Sequence, residues 1–505
     1  MLRSLFRNVA ISAVAFFTVS VVGLLLVPVL ISSFGIAGFG IIVLGRLFFP
    51  TSGLGVLDFG FGEITTNVVA RARVDGNWAR ASRMVRLAIV SAAGVGGAAA
   101  VAMFLVSPWL PAWLRLAPVD HTAFSWVLRL TAMALPLLFI SLVAEGVVKG
   151  FERFGALRTL EVAAALSYAA IILAIVAADG SPIAACYAMV ASLTFRALLS
   201  ATLAVVCLRS SWIRTDRSEP VERAWFLTMT RNMAVNKQLG TAQTQLAPLL
   251  IGLLLGPLGV GTYDAVSRLP RAIKAVLGLL SSTVLPVASR LESAADTKGM
   301  RRLGHAGVLV TGIVALPPVA AAMVYSEPLL RLWIGEEFSH LWAWQSLMFA
   351  IPAMSVLLSF GGTTLLVRPA AMTAMNRLTV LQVLLQFMLA LLAVRWLNER
   401  AFILGQVIAV AVTFVPQIRL IGKELGFEGA VYRRLLGLVA ALIALAALSW
   451  LLDLVIDTWW LVGLAMSLWT LAGWTSGIFF VLSSHQRSRL FGETSTWIKR
   501  IKEGL

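Results

Sequence analysis

Apolar residues run along this chain in long blocks rather than in the short rhythms of a water-soluble fold. Fourteen such blocks recur from end to end, at 9–33, 38–66, 84–107, 124–146, 158–178, 183–207, 232–255, 260–288, 304–325, 342–366, 378–397, 402–421, 434–452 and 459–482. Crossing a bilayer takes about 20 apolar residues. Each block predicts a helix, because a lone strand leaves its backbone polar groups unsatisfied in lipid. The pattern therefore predicts an all-α polytopic membrane protein of about fourteen transmembrane helices.

The polar positions inside these blocks are informative because they are few. The block at 260–288 contains Tyr263-Asp-Ala-Val-Ser-Arg-Leu-Pro-Arg-Ala-Ile-Lys-Ala-Val-Leu277. On a helix Asp264, Arg268, Arg271 and Lys274 fall within an arc of roughly 120°, with Ser267 among them. Each such charge costs about 2.5–3.5 kcal/mol near the centre of a membrane helix. Exposure of this face to lipid is thus disfavoured, and it is expected to line a polar pathway. Asp264 stands four residues before Arg268, the spacing of an intrahelical ion pair.

Other spans carry isolated charges. The second holds Arg46, Asp58 and Glu63, which do not share a face of a continuous helix, so they do not read as one site. The sixth places Arg196 between Ser192 and Ser200 at helical spacing. The seventh opens polar, and Lys237, Thr241, Thr244 and Pro248 share one side of it. The intramembrane cations Arg46, Arg196, Lys237, Arg268, Arg271 and Lys274 outnumber the anions Asp58 and Asp264, with Glu63 and Glu145 nearer the membrane edge. A lumen shared by these groups is electropositive, and guanidinium groups suit phosphate oxygens. The candidate substrate-binding residues are therefore those six cations. Asp264, Asp58 and Glu145 are the candidates for coupling to a proton or sodium gradient.

Composition agrees with the span pattern. The 505 residues are 59% hydrophobic and 13% charged, with a mean hydropathy of +0.89. Soluble proteins carry about 25% charged residues. The formal net charge of +17 would suggest nucleic acid in a soluble protein. Here 30 of the 41 Lys and Arg residues fall on one side of the spans and 5 on the other, with 6 inside them. That asymmetry sets orientation and places both termini in the cytoplasm. No nucleic-acid partner is called for. The start, Met1-Leu-Arg-Ser-Leu-Phe-Arg7, reads as the approach to a retained first helix rather than to a cleaved signal. Cys186 and Cys207 lie 21 residues apart in one predicted helix and suggest neither disulfide nor metal site. The four histidines fall in predicted loops or tails. No cofactor is expected, and no Gly-x-x-x-x-Gly-Lys-Ser/Thr stretch for ATP is present.

The two halves echo each other across the inside loop at 208–231. Arg7-Asn-Val-Ala10 answers Arg231-Asn-Met-Ala234, and Gly35-Ile-Ala-Gly-Phe-Gly40 answers Gly256-Pro-Leu-Gly-Val-Gly261. Pro28 and Pro248 precede those glycine clusters at similar distances. Both halves start from the same side, which predicts a parallel repeat about an axis along the membrane normal. The glycines read as turn residues, since no strand precedes them as a nucleotide-binding turn requires.

The start at Asn8, the glycine cluster, Leu57-Asp-Phe-Gly60 and Tyr263…Arg268-Leu-Pro270…Pro286 resemble polysaccharide-export flippases of the MOP superfamily. More narrowly, they resemble Wzx-type transporters of O-antigen and capsule repeat units. The resemblance covers most of residues 1–290. It implies six-helix lobes at 1–207 and 232–421 joined by the cytoplasmic linker 208–231. It also implies two further helices within 422–482, a cytoplasmic tail at 483–505 and a V-shaped cavity between the lobes. The implied cargo is an undecaprenyl-diphosphate-linked oligosaccharide flipped to the outer leaflet of the bacterial inner membrane. Arg268, Arg271 and Lys274 would then hold its diphosphate or acidic sugars. Membrane lipids, a polysaccharide polymerase and a chain-length regulator are the partners this implies. A multidrug exporter of the superfamily would favour acidic cavity residues instead. A lipid-precursor flippase or a scaffolding membrane protein stays open. A membrane polymerase would need a sizeable outer loop, and the largest expected here runs only from Ser326 to Leu341.

The charge asymmetry makes a direct prediction. Single cysteines at Asp216 should be shielded from impermeant reagents in intact cells, whereas those at Ser181 and Glu336 should label rapidly. Rapid outside labelling at 216 would invert the topology.

Overall fold

A computed structural model describes residues 2–209, 212, 220–282, 288, 291–292, 294–365, 368–451 and 457–482. Among these the chain is helical, without strands. The helices are α1 (Leu2–Arg46), α2 (Phe61–Asp75), α3 (Trp78–Val106), α4 (Leu110–Trp113), α5 (His121–Gly150), α6 (Phe154–Ala177), α7 (Pro182–Leu208) and α8 (Pro220–Ser282). They continue as α9 (Thr297–Val324), α10 (Ser326–Ile334), α11 (Trp342–Leu365), α12 (Pro369–Leu397), α13 (Arg400–Leu425), α14 (Gly429–Leu451) and α15 (Trp459–Val481). Asp216, Pro286 and the tail at 483–505, on which some sequence expectations fall, lie outside the described residues.

Twelve helices among the described residues are long and apolar enough to cross a bilayer. The difference from fourteen arises at the two glycine clusters. The first two predicted spans run together in α1, and the seventh and eighth in α8. Each merged helix bends at one glycine, Gly35 (φ 69°, ψ 172°) and Gly256 (φ 80°, ψ −170°). Residues with a β-carbon rarely adopt that backbone conformation. The two repeats thus bend alike at equivalent positions.

Beyond the bends the two repeats diverge. The second predicted span, 38–66, is not one helix. α1 ends at Arg46, a tight turn holds Pro50, a 3-10 turn covers Gly53–Leu57, and α2 starts afresh at Phe61. Pro50 lacks a backbone donor, and Gly53 and Gly55 disfavour helix. Counted from the two bends, α8 has Arg271, Lys274 and Val276 at those places, and it stays helical to Ser282.

By contacts the chain forms two compact units. One comprises Met1–Ala265 with Leu397–Glu399, the other Val266–Trp396 with Arg400–Leu505. In the first, α5 packs against α2, α3 and α7, and α1 packs on α6 and α7. Its interior is rich in Phe39, Phe49, Phe61, Phe124 and Phe139, all fully buried. In the second, α9 packs against α11, α14 and α15. Val308, Leu316, Phe349, Leu438 and Trp469 lie in one continuous apolar cluster there. His305 belongs to α9 rather than to a loop, and its Nε2 lies 3.0 Å from the Gly426 carbonyl.

The glycine clusters also meet each other. A β-carbon at Gly40 would overlap the carbonyl oxygen of Pro257, and one at Gly261 would overlap that of Ile36. The contact is reciprocal between equivalent positions of the repeat, as a two-fold relation requires. Gly40→Val or Gly261→Val should therefore lower thermal stability in detergent by the equivalent of about 1–3 kcal/mol or more, as overpacking does. Gly23→Ala, where nothing lies within 4 Å, should be tolerated. Equal melting temperatures for the valine variants and wild type would contradict the close approach.

Candidate functional site

The break after α1 brings a carboxylate into the interior of the first unit. Asp58 is 3% exposed and precedes α2. Its Oδ1 accepts the Gly60 N–H at 3.0 Å, and its Oδ2 lies 2.5 Å from Lys237 Nζ on α8. Glu63, in the first turn of α2, offers both oxygens to the same ammonium at 2.8 and 3.0 Å. Each of the three ammonium protons thus has a carboxylate oxygen within reach. Along α8, Gln245 Oε1 accepts the Ser52 hydroxyl at 3.1 Å, and Thr241 lies against Gly55. The polar opening of α8 is therefore matched, residue by residue, to the broken stretch. Thr244, expected on that face, instead donates to carbonyls of its own helix.

Asp58 and Glu63 do form one site, contrary to the expectation from a continuous helix. Face arithmetic fails across a break, and the two carboxylates converge because the chain between them turns. Arg46 is exposed at the end of α1.

A second charged group lies in the same unit. Arg196 on α7 donates to Glu145 Oε1 on α5 at 2.6 Å and to Glu161 Oε1 on α6 at 3.4 Å. Glu145 also pairs with Lys149 at 3.7 Å, and Glu161 with Arg158 at 2.5 Å. Ser192 and Ser200 donate to backbone carbonyls at Ala164 and Ala197 rather than to this network. A small cleft opens beside it, lined by Pro50, Thr51, Ser141, Glu145 and Arg196. Two of the predicted cations are thus each ion-paired with a predicted coupling acid, Lys237 with Asp58 and Arg196 with Glu145. Taken together, the carboxylates Asp58, Glu63, Glu145 and Glu161 are balanced by Lys237, Lys149, Arg196 and Arg158.

The second unit begins at Val266, so it holds the charged part of α8. Leu269, Ile273 and Leu277 sit in or against its apolar cluster. Arg268, Arg271 and Lys274 occupy the opposite side of the helix and are partly exposed. Arg271 folds back on buried Ser267, donating from Nη2 to its hydroxyl at 2.6 Å and from Nε to its carbonyl at 3.2 Å. Asp264, one turn earlier, is buried. Elsewhere in this unit Arg368 is held by Glu292 at 3.1 Å and by Glu424 at 3.5 Å.

Sequence reasoning missed Glu161, Ser52 and Gln245 as members of these groups. Glu161 had a signal, an acid three residues after Arg158 at the same membrane edge as Glu145. Gln245 had one as well, closing the unusually polar start of the seventh block, but Ser52 had none, since their pairing depends on the turn.

Residues 5–292 match the model of a family described as polysaccharide biosynthesis protein. The chain belongs to that family. Among individual proteins it is 19% identical over 243 residues to a putative O-antigen transporter of Shigella flexneri. That match covers 47% of this chain and 55% of the relative, so the chain spans about half the length of the protein it matches. Solved structures share the fold of this family member. A lipid II flippase in an inward closed conformation superposes with a TM-score of 0.66 at 11% identity, covering 92% of this chain and 97% of that one. An inward-facing multidrug-resistance transporter of the MOP superfamily gives 0.65 at 12% identity, covering 82% and 94%. A MOP-superfamily transporter from Pyrococcus furiosus, described as having a binding pocket of reversed polarity, gives 0.57 at 14%, covering 82% and 95%. The chain shares its fold with these proteins, and its twelve long apolar helices fit a multi-pass membrane protein.

The Asp58 site makes a stability prediction. Removing Lys237 alone leaves a buried carboxylate without its cation, a loss of about 3–5 kcal/mol. Lys237→Met should therefore lower the melting temperature and membrane abundance, and Asp58→Asn added to it should restore most of both. If Lys237→Met melts like wild type, the pair does not hold the break in place.

Proposed function

We propose that this protein moves a polyprenyl-diphosphate-linked oligosaccharide across the bacterial cytoplasmic membrane. It takes the cargo from the cytoplasmic to the outer leaflet by alternating access through a cationic cavity. The observation that carries this reading is the face of α8 bearing Arg268, Arg271 and Lys274, opposite the face packed by Leu269, Ile273 and Leu277. Phosphate oxygens accept two parallel N–H bonds from a guanidinium and match its fork. Arriving phosphate would replace Ser267 as the acceptor for Arg271. The lipid tail stays in hydrocarbon while the polar head passes.

Membership in a polysaccharide biosynthesis family and the names of the relatives support the same cargo class. A drug exporter for cations is the weaker reading. The buried or half-buried acids Asp58 and Glu145 are held by Lys237 and Arg196, which leaves them poorly placed to take a cationic drug. The protein acts as a secondary transporter rather than an enzyme. Its energy comes from a proton or sodium gradient or from supply of cargo, with Asp264 a further candidate for the coupling ion. A polymerase and a chain-length regulator would receive the cargo on the outer side.

Deletion of the protein should cause lipid-linked oligosaccharide to accumulate, and its glycan composition would identify the cargo. Arg268→Ala/Arg271→Ala/Lys274→Ala should reproduce that accumulation with near-normal membrane abundance. Full export by the triple variant would remove the phosphate-binding role.

A further inference from the structure

The turn between α2 and α3 is built with unusual care for an exposed corner. Asp75 Oδ1 accepts the Asn77 N–H at 3.0 Å, and Asn77 Oδ1 accepts the Arg80 N–H at 3.1 Å. Gly76 takes the left-handed conformation at φ 73° and closes α2. Trp78 stacks on Phe151 with ring centres 5.6 Å apart and planes 12° apart. Arg73 donates to the Gly150 carbonyl at 3.2 Å and pairs with Glu152. The corner is therefore fixed against α5 before any ligand arrives.

Beside it lies a shallow surface cleft that the transport reading does not use. Arg71, Asp75, Asn77 and Arg80 form its polar rim, Met84 and neighbouring small residues its floor, and Trp225 of α8 its far wall. The rim side chains are exposed and Trp225 is half-buried. Among the described residues the guanidinium groups of Arg71 and Arg80 have no hydrogen-bond or ion-pair partner, whereas Arg73 next to them does. Asp75 is the one carboxylate in the same lining as the two arginines, so the rim keeps an excess of one positive charge.

Position sets the kind of ligand. α3 is a membrane-crossing helix that begins at Trp78, so Arg80 stands in its first turn at the boundary of the bilayer. Tryptophan favours that depth, where one side of the ring is apolar and the other wet. An apolar floor, an indole wall and two unpaired arginines at headgroup level complement a phosphate attached to acyl chains.

We propose that this cleft binds the headgroup of an anionic membrane phospholipid, as a site separate from the cationic face of α8. The arginines engage the phosphate, Trp225 packs on the glycerol and first methylenes, and Asp75 limits the affinity.

Full-length protein in detergent, titrated with phosphatidylglycerol, phosphatidylcholine or inorganic pyrophosphate and read by native mass spectrometry, tests this. Phosphatidylglycerol should be retained in preference to phosphatidylcholine. Arg71→Gln/Arg80→Gln should weaken it about 30-fold, from about 1 kcal/mol for each basic residue at a membrane surface. Asp75→Asn should strengthen it. Brominated phosphatidylglycerol should quench a fluorescence component that Trp225→Phe removes, and the double glutamine variant should lose that quenching at an unchanged melting temperature. Equal retention of both phospholipids, an unaltered double variant, or displacement by equimolar pyrophosphate would each overturn the proposal.

Discussion

Two helices approach no closer than their side chains allow, and at one place in the first unit they have almost none. Gly40 lies against the backbone of Pro257, and Gly261 against that of Ile36. Because the two contacts exchange equivalent positions of the repeat, neither α1 nor α8 can slide without lifting both. That register decides what faces what further along. With it fixed, the polar opening of α8 meets the break after α1, and Lys237 reaches Asp58.

From this shared start the two repeats solve opposite problems. In the first copy Pro50, Gly53 and Gly55 end the helix, and the chain turns Asp58 inward onto a lysine. In the second, Arg271, Lys274 and Val276 continue it, and a whole helical face carries cations. A charge at membrane depth has to be paired or wet. The first unit pairs its charges, with Asp58 and Glu63 on Lys237, and Glu145 and Glu161 on Arg196. In the second, Arg268, Arg271 and Lys274 are partly exposed on the side of α8 opposite Leu269, Ile273 and Leu277.

The architecture was legible because it rests on composition and spacing. Long apolar blocks made helices, and the repeated glycine cluster marked both bends, as φ near 70–80° at Gly35 and Gly256 bears out. The charged arc of α8 was legible too, because the chain is helical throughout Asp264 to Lys274. The triad of Asp58, Glu63 and Lys237 was not. Its partners are separated by 174 residues or more, and a wheel drawn through 38–66 assumes a helix that Pro50 and two glycines interrupt. Arg196 was found as an intramembrane cation but not as a paired one, since pairing depends on which helices α5 and α6 present to α7.

These pairings bear on what each group can still do. A carboxylate already bonded to an ammonium binds a further cation only by giving up that ammonium, and a guanidinium held by two carboxylates has no net positive charge to offer a phosphate. An excess of positive positions along the sequence therefore does not by itself predict an electropositive lumen. In the first unit the four carboxylates and four cations cancel, which leaves that network suited to holding α2, α5, α6, α7 and α8 in register. Arg271 donates to a hydroxyl and a carbonyl of its own helix, and a phosphate oxygen is a stronger acceptor than either. The distinction between a cation that holds the fold and one that can recognise an anion lies in the charge of its resting partner.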